Sequence, residues 1–487
     1  MVSSEDSPLL SPSANAAQPE VEAAKLFPRK TSPARIVRLI LLYVVAFNFA
    51  IELFIPAETR VLEQIYCTQY YRHFDPSLIG SDGNGGIDER WCKVTPVQSN
   101  VAMLRSWQTS FGNIAMLVTS VPWSYAADKY GRKPVFLALA IAKFARIAYI
   151  QLICSFGGAV SLKWTWLSAL FVAFGTSPAV TNAMIYIIIS DVITESERAA
   201  TFFQVMGASM VPKFLGLLSS AALMRWNPWL PMLIALAVEA IGLAIAVLTP
   251  ETLNYKISSE PHVRRSSNAS RTALNNNNTP QRRTIFWCGD TFSSFPVPNY
   301  RVGLIISIFL SRVPLQHEQL IPQYISTRYS ISLSSATALT AVQSGLVVIL
   351  CIVIIPSVNR RHRDKIVVQR HDLLFSRISA GVIFLTFLGV ALAPNLLLLA
   401  SALLLSSFGW GFWSFLRSLL SSLAEAHSVA RLYTLVAVIE AVGHTVGNPL
   451  LAFLFTRGLE IRGWLYGLPF LVCSFIMLVH ILSLMAL

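Results

Sequence analysis

The chain alternates long apolar runs with short polar turns, and twelve of those runs approach the roughly 20 residues needed to cross a bilayer. They fall at about 36–56, 104–127, 134–154, 164–189, 199–222 and 228–249, and again at 301–322, 334–356, 373–393, 395–416, 430–454 and 463–486. Each predicts a spanning helix, six on either side of a polar interruption. That interruption, 253–299, includes KISSEPHVRRSSNASRTALNNNNTPQRR, has no apolar period and predicts a flexible basic linker. Residues 1–34, rich in Ser, Pro and Ala, predict a disordered tail. The expected organisation is therefore a tail (1–34), a six-helix unit (35–252), a linker (253–299) and a second six-helix unit (300–487).

Composition agrees with this pattern. Hydrophobic residues make up 54% of the chain and charged residues only 13%, against about 25% charged in ordinary soluble domains. A soluble globular class is excluded. The formal net charge of +13 does not point to nucleic acid, because it is spread over short segments between apolar runs. Basic residues gather in 128–133, 253–299 and 359–372, whereas the connections 155–163, 223–227, 323–333 and 394 hold only Lys163, Arg225 and Arg328. This bias predicts that both termini face the cytoplasm. The plasma membrane is the expected location. EDSPLL, with Glu5, Leu9 and Leu10, resembles an acidic dileucine sorting signal, which keeps a vacuolar or endosomal membrane as the alternative.

Of six cysteines, Cys67 and Cys92 lie in the only long polar loop of the first half, 57–100. If that loop is outside the cytoplasm, a Cys67–Cys92 disulfide is expected, and two free thiols are the alternative. No Cys/His spacing suggests a metal, and no cofactor is expected.

Several polar residues fall inside apolar runs, where they are costly and normally face a bundle interior or a wet cavity. Asn48 and Glu52 are four apart and share a helix face. Lys143, Arg146, Lys213, Glu239, Arg312, His317 and Glu318 are also intramembrane, and Glu440 and His444, four apart, are expected to form a local pair. Asn182 is a further polar candidate. Trp410 and Trp413 share a face suited to stacking on a flat solute or to anchoring at an interface.

The two halves echo each other. DVITESERAATFFQVMGA opens the fifth run and SSLAEAHSVARLYTLVAVIEAVG the eleventh, each with a Glu, small residues and an Arg before an apolar helix. After the second run stands SYAADKYGRK, residues 124–133. With it the chain resembles the major facilitator superfamily, in its fungal twelve-span form, over about 35–487; Ser124 replaces the family's usual glycine. The resemblance implies an all-α integral membrane protein whose twelve transmembrane helices form two pseudo-symmetric six-helix bundles around a cavity that opens alternately to each side. It implies a gating motif of Asp128, Lys129, Gly131, Arg132 and Lys133. Asp128 would latch onto a helix end of the other bundle, and Arg132 would pair with Asp191. Cavity-lining helices in this family include the first, fourth, seventh and tenth, which makes Glu52, Arg312, His317 and Glu318 candidate substrate or proton residues. Asn48, Arg146, Asn182, Trp410 and Trp413 are weaker ones. Gly207, Pro212 and Gly216 resemble the family's antiporter motif but lack its continuation.

The function implied is secondary active transport of a small organic solute. Proton-coupled export of a secondary metabolite or xenobiotic is preferred, and uptake of an organic anion or nutrient is the second reading. Lys143, Arg146, Lys213 and Arg312 fit an anionic or polyoxygenated solute. No phosphate-binding loop supports ATP-driven pumping. A membrane-embedded enzyme would concentrate its reactive groups at one depth, whereas these charges are spread over both halves. The expected partners are the solute, protons and the lipid bilayer, with the chain acting as a monomer and binding no nucleic acid.

Overall fold

The computed structural model describes residues 32–80, 86–176, 178–253, 311–350, 365–410, 429–461 and 463–485. Every regular element among them is helical. In chain order we label α1 Pro33–Phe74, α2 Thr95–Tyr130, α3 Arg132–Ser155, α4 Pro178–Val192, α5 Glu195–Met224 and α6 Trp229–Leu248. The second half holds α7 His317–Arg328, α8 Leu333–Ile349, α9 Lys365–Leu392, α10 Leu396–Ser406, α11 Val429–Ile461 and α12 Leu468–Met485. Eight helical stretches among the described residues are long and apolar enough to cross a membrane. The protein is thus an all-α, multi-pass membrane protein.

The helix α1 is longer than its apolar run. It starts on Pro33, where a missing N–H costs nothing, and continues through Pro56 for 42 residues, or about 63 Å. The polar loop expected from residue 57 is therefore helical as far as Phe74. Burial of Ala57, Val61, Leu62 and Ile65 at helical spacing outweighs the backbone bond lost at Pro56. Similarly, α2 begins nine residues before its expected start and reaches Tyr130. Its polar residues leave it less apolar than those eight stretches. The fourth run is not one continuous α-helix, because backbone angles depart from helical values at Phe174 and Gly175. Lys365 onward, expected as part of a basic turn, is helical. The tail, the linker 254–299 and Trp413 lie outside the described residues.

Apolar packing separates by chain half. One cluster joins Ile36 to Phe47 of α1 with α3, α4 and Ala246 of α6. A second joins Ala50 to Ile65 of α1 with Leu104, Ile150 and Met232. A third contains α7, α9, α11 and α12 residues such as Tyr324, Phe387, Phe455 and Phe470, with Ala102 its only buried member from the first half. Each half buries its oily surface against itself.

Candidate functional site

A cavity of about 260 Å³ lies between the halves. The helix α1 contributes Glu52 and Thr59, α2 Arg105, α5 Lys213, α7 Glu318 and Gln319, and α8 Thr340 and Gln343, with His317 and Trp410 completing the wall. Close approach of α1 and α5 needs Gly216, where a Cβ would sit 2.9 Å from both Glu52 Cβ and the Phe49 carbonyl oxygen. One turn earlier on α5, Lys213 Nζ donates to Glu318 Oε2 at 3.0 Å, an ion pair between the two halves. Lys213 also lies 5.2 Å from the ring centre of Trp410, within cation–π range.

Two further cavities share lining residues with this one. In the second half, about 280 Å³ is lined by His317, Phe387, Trp410, His444 and Met477 among others. His317 Nδ1 is 2.7 Å from the Pro314 carbonyl and its ring meets Phe387 edge-on at 4.9 Å. In the first half, about 200 Å³ is lined by Glu58, Arg105, Gln108, Lys143 and Arg146 beside Phe54 and Ile147. Arg105 and Gln319 line this cavity and the central one.

At the start of α3 the DKYGRK residues form a charged cluster. Arg132 Nη1 donates to Asp128 Oδ1 at 2.6 Å, and its Nε lies 3.2 Å from Asp191 Oδ2. The backbone N–H groups of Arg132 and Lys133 donate to Glu251 at 2.8 and 3.1 Å. A carboxylate thus caps the free donors of this helix N-terminus. Asp128 makes no hydrogen bond or ion pair with the second half among the described residues, and Lys129 lies 5.3 Å from the ring centre of Tyr130.

The halves are joined at the opposite, disulfide end. Cys67 and Cys92 are bonded, with Cα atoms 5.2 Å apart. Beside them, Glu89 accepts the Leu333 N–H at 2.6 Å. Gln323 donates to the Gln98 side chain at 2.9 Å, Thr327 to the same oxygen at 3.1 Å, and Ser110 to the Thr445 carbonyl at 2.8 Å.

Sequence expectations meet this geometry unevenly. Glu52, His317, Glu318 and Trp410 line the central cavity and Arg146 the first-half cavity. Arg312 is buried beside Glu440, to which it donates. That corrects the local Glu440–His444 pair, since His444 bonds instead to Gln316. Asn48 donates to the Val44 carbonyl of its own helix at 2.8 Å and lines none of the cavities above. Asn182 is exposed and also lies outside them. Glu58, Arg105, Gln319 and Glu251 were missed. Glu58 and Arg105 sit in stretches that read as loop and as polar helix edge, and Glu251 is only the third letter of TPET.

The family model of the Major Facilitator Superfamily matches residues 102–448. The chain is 30% identical to the MFS efflux pump atnC of Emericella nidulans, over 85% of this chain and 80% of that protein. It is 28% identical to the MFS-type transporter aprT of Aspergillus flavus, over 86% and 81%. Among solved structures, the human organic anion transporter MFSD10 superposes with a TM-score of 0.56 at 17% identity, over 93% of this chain and 100% of that one.

Proposed function

The chain belongs to the Major Facilitator Superfamily, and on that premise we propose that it exports a small organic solute in exchange for protons. It is a secondary transporter of small organic solutes working by alternating access, not an enzyme. Export is favoured over uptake because the Emericella nidulans relative, matched over most of the chain's length, is an efflux pump. A secondary metabolite or xenobiotic is the proposed cargo, carried outward across the plasma membrane by a monomer. The twelve helices form two six-helix bundles, 35–252 and 300–487, joined by a cytoplasmic linker, with both termini inside.

The observation that carries the proton exchange is the Lys213–Glu318 pair, which bridges the halves in the cavity that Glu52 also lines. Lys213 faces a carboxylate on each half. A proton on Glu318 removes the inter-half attraction, and one on Glu52 leaves Lys213 free to bind Glu318 more tightly. Protonation of either carboxylate thus changes a contact between the halves, the kind of bistable element an alternating-access exchanger switches. The Arg132–Asp128–Asp191 cluster is the proposed gate at the other end.

Purified protein in liposomes with an imposed pH gradient is expected to move a solute with saturating kinetics. Glu52→Gln should lower proton-driven flux about tenfold or more while solute counterflow persists, since losing one proton-carrying group removes the coupling and not the path. Full proton-driven flux in that variant would move the proton site elsewhere, and no flux across a broad solute panel would remove the transport reading.

A further inference from the structure

We infer that the first-half cavity seats a single anionic group of the solute, a carboxylate or its equivalent, and that Arg146 is the residue that holds it; this rests on the transporter reading above. Three cations line the cavity, Arg105, Lys143 and Arg146, with Glu58 as the lone carboxylate. Two of the three are matched. Arg105 lies 3.7 Å from Glu58, whose other oxygen accepts from Gln108 at 3.0 Å. Lys143 lies 3.3 Å from Glu239, which is buried behind the cavity wall. Neither atom of that pair has a further hydrogen-bond partner among the described residues. Arg146 makes no ion pair or hydrogen bond with any described residue, and its Nε is buried without a partner.

Arg146 is half-buried and must share its cavity carboxylate, Glu58, with Arg105, which leaves one positive charge in excess; such a charge is costly, and proteins normally pair it. Its planar fork matches a carboxylate with two parallel hydrogen bonds. The charge balance, with one cation left over, calls for a monoanion. Phe54, Ile147 and Met116 supply an apolar wall for the body of such a molecule. Arg105 and Gln319 line both this cavity and the central one, so a longer solute reaches the Lys213–Glu318 pair.

The test uses the full-length protein in detergent with three acid and primary-amide pairs: naphthoic acid, indole-3-acetic acid and decanoic acid. Each acid is expected to bind about tenfold or more tightly than its amide, the value of one charge-assisted contact. Arg146→Gln should abolish that preference and, by removing the excess cation from the cavity, raise the melting temperature without ligand. Arg146→Lys should restore part of the preference. A purely structural Arg146 would instead lower stability on replacement. The seat is overturned if no acid outbinds its amide, if Arg146→Gln keeps the preference, or if chloride alone stabilises as well as the acids do. Flux in liposomes without acid preference leaves transport standing and removes the seat, whereas acid preference without flux does the reverse.

Discussion

Gly131 separates α2 from α3 at φ +107°, a conformation that side chains rarely tolerate, and a Cβ there would lie 2.5 Å from Glu251 Oε2. Gly131→Ala is expected to cost about 1–3 kcal/mol, read as a lower melting temperature. Partial burial alone would raise the Glu251 carboxyl. Backbone N–H groups of Leu253, Arg132, Lys133 and Thr252 outweigh that and hold it below the usual carboxylate range. The folded value is therefore below the unfolded one, so this stabilisation is complete above about pH 4.3 and is lost as pH falls through the folded value. The melting-temperature gap between wild type and Glu251→Gln should be widest near neutrality and close in acid. The motif residues themselves were legible, because DKYGRK is local. Glu251 was not, since its bonds to Arg132 and Lys133 cross 119 and 118 residues.

At the scale of elements, the extension of α1 past Pro56 brings Arg60, Glu63 and Cys67 against the turn that carries Glu89, Cys92 and Lys93. Lys93 Nζ lies 2.7 Å from Glu63 and 2.8 Å from Glu89, and Arg60 lies 3.2 Å from each. The disulfide fixes this turn so that Glu89 caps the first turn of α8, a helix of the other half. Cys67→Ser or Cys92→Ser opens a loop closed over 25 residues. The expected loss is about 2–4 kcal/mol, seen as a melting-temperature drop that reducing agent reproduces in the wild type and not in the variants. The sequence pattern placed the two cysteines in one segment. It misjudged the segment's form because Pro56 and a run of charges disguised the apolar period at Ala57, Val61, Leu62 and Ile65.

For the whole molecule, α2 reports how the halves meet. Ala102, Ser106, Ser110, Asn113, Leu117, Val121, Ser124 and Asp128 recur every three or four residues and so form one stripe. Its beginning faces the second half, through Ala102 in that half's core and Ser110 on Thr445. Further along, Val121 is 69% exposed and the Asp128 side chain 71%. Among the described residues, the bonds between the halves gather toward the disulfide end, and the DKYGRK end of α2 is exposed. In a chain otherwise lacking free cysteines, Val121→Cys should react rapidly with a maleimide and Thr327→Cys slowly, by at least tenfold on a local-opening argument. Binding that favours the opposite state should narrow the difference, and equal reactivity from the outset would contradict this arrangement.

The sequence by itself determined the all-helical membrane class, and it marked the DKYGRK stretch and the intramembrane polar residues worth watching. These follow from local quantities: run length, hydropathy, helical period and short spacing. Only the tertiary structure decided which of those polar residues meet. Lys213 finds Glu318 across 105 residues and Arg312 finds Glu440 across 128, while Arg146 finds no partner among the described residues. Pairing inside a bundle is set by how the helices rotate and pack, and no local pattern encodes it. The charge left over after pairing, which bears most on what the protein carries, therefore emerges only when the helices are assembled.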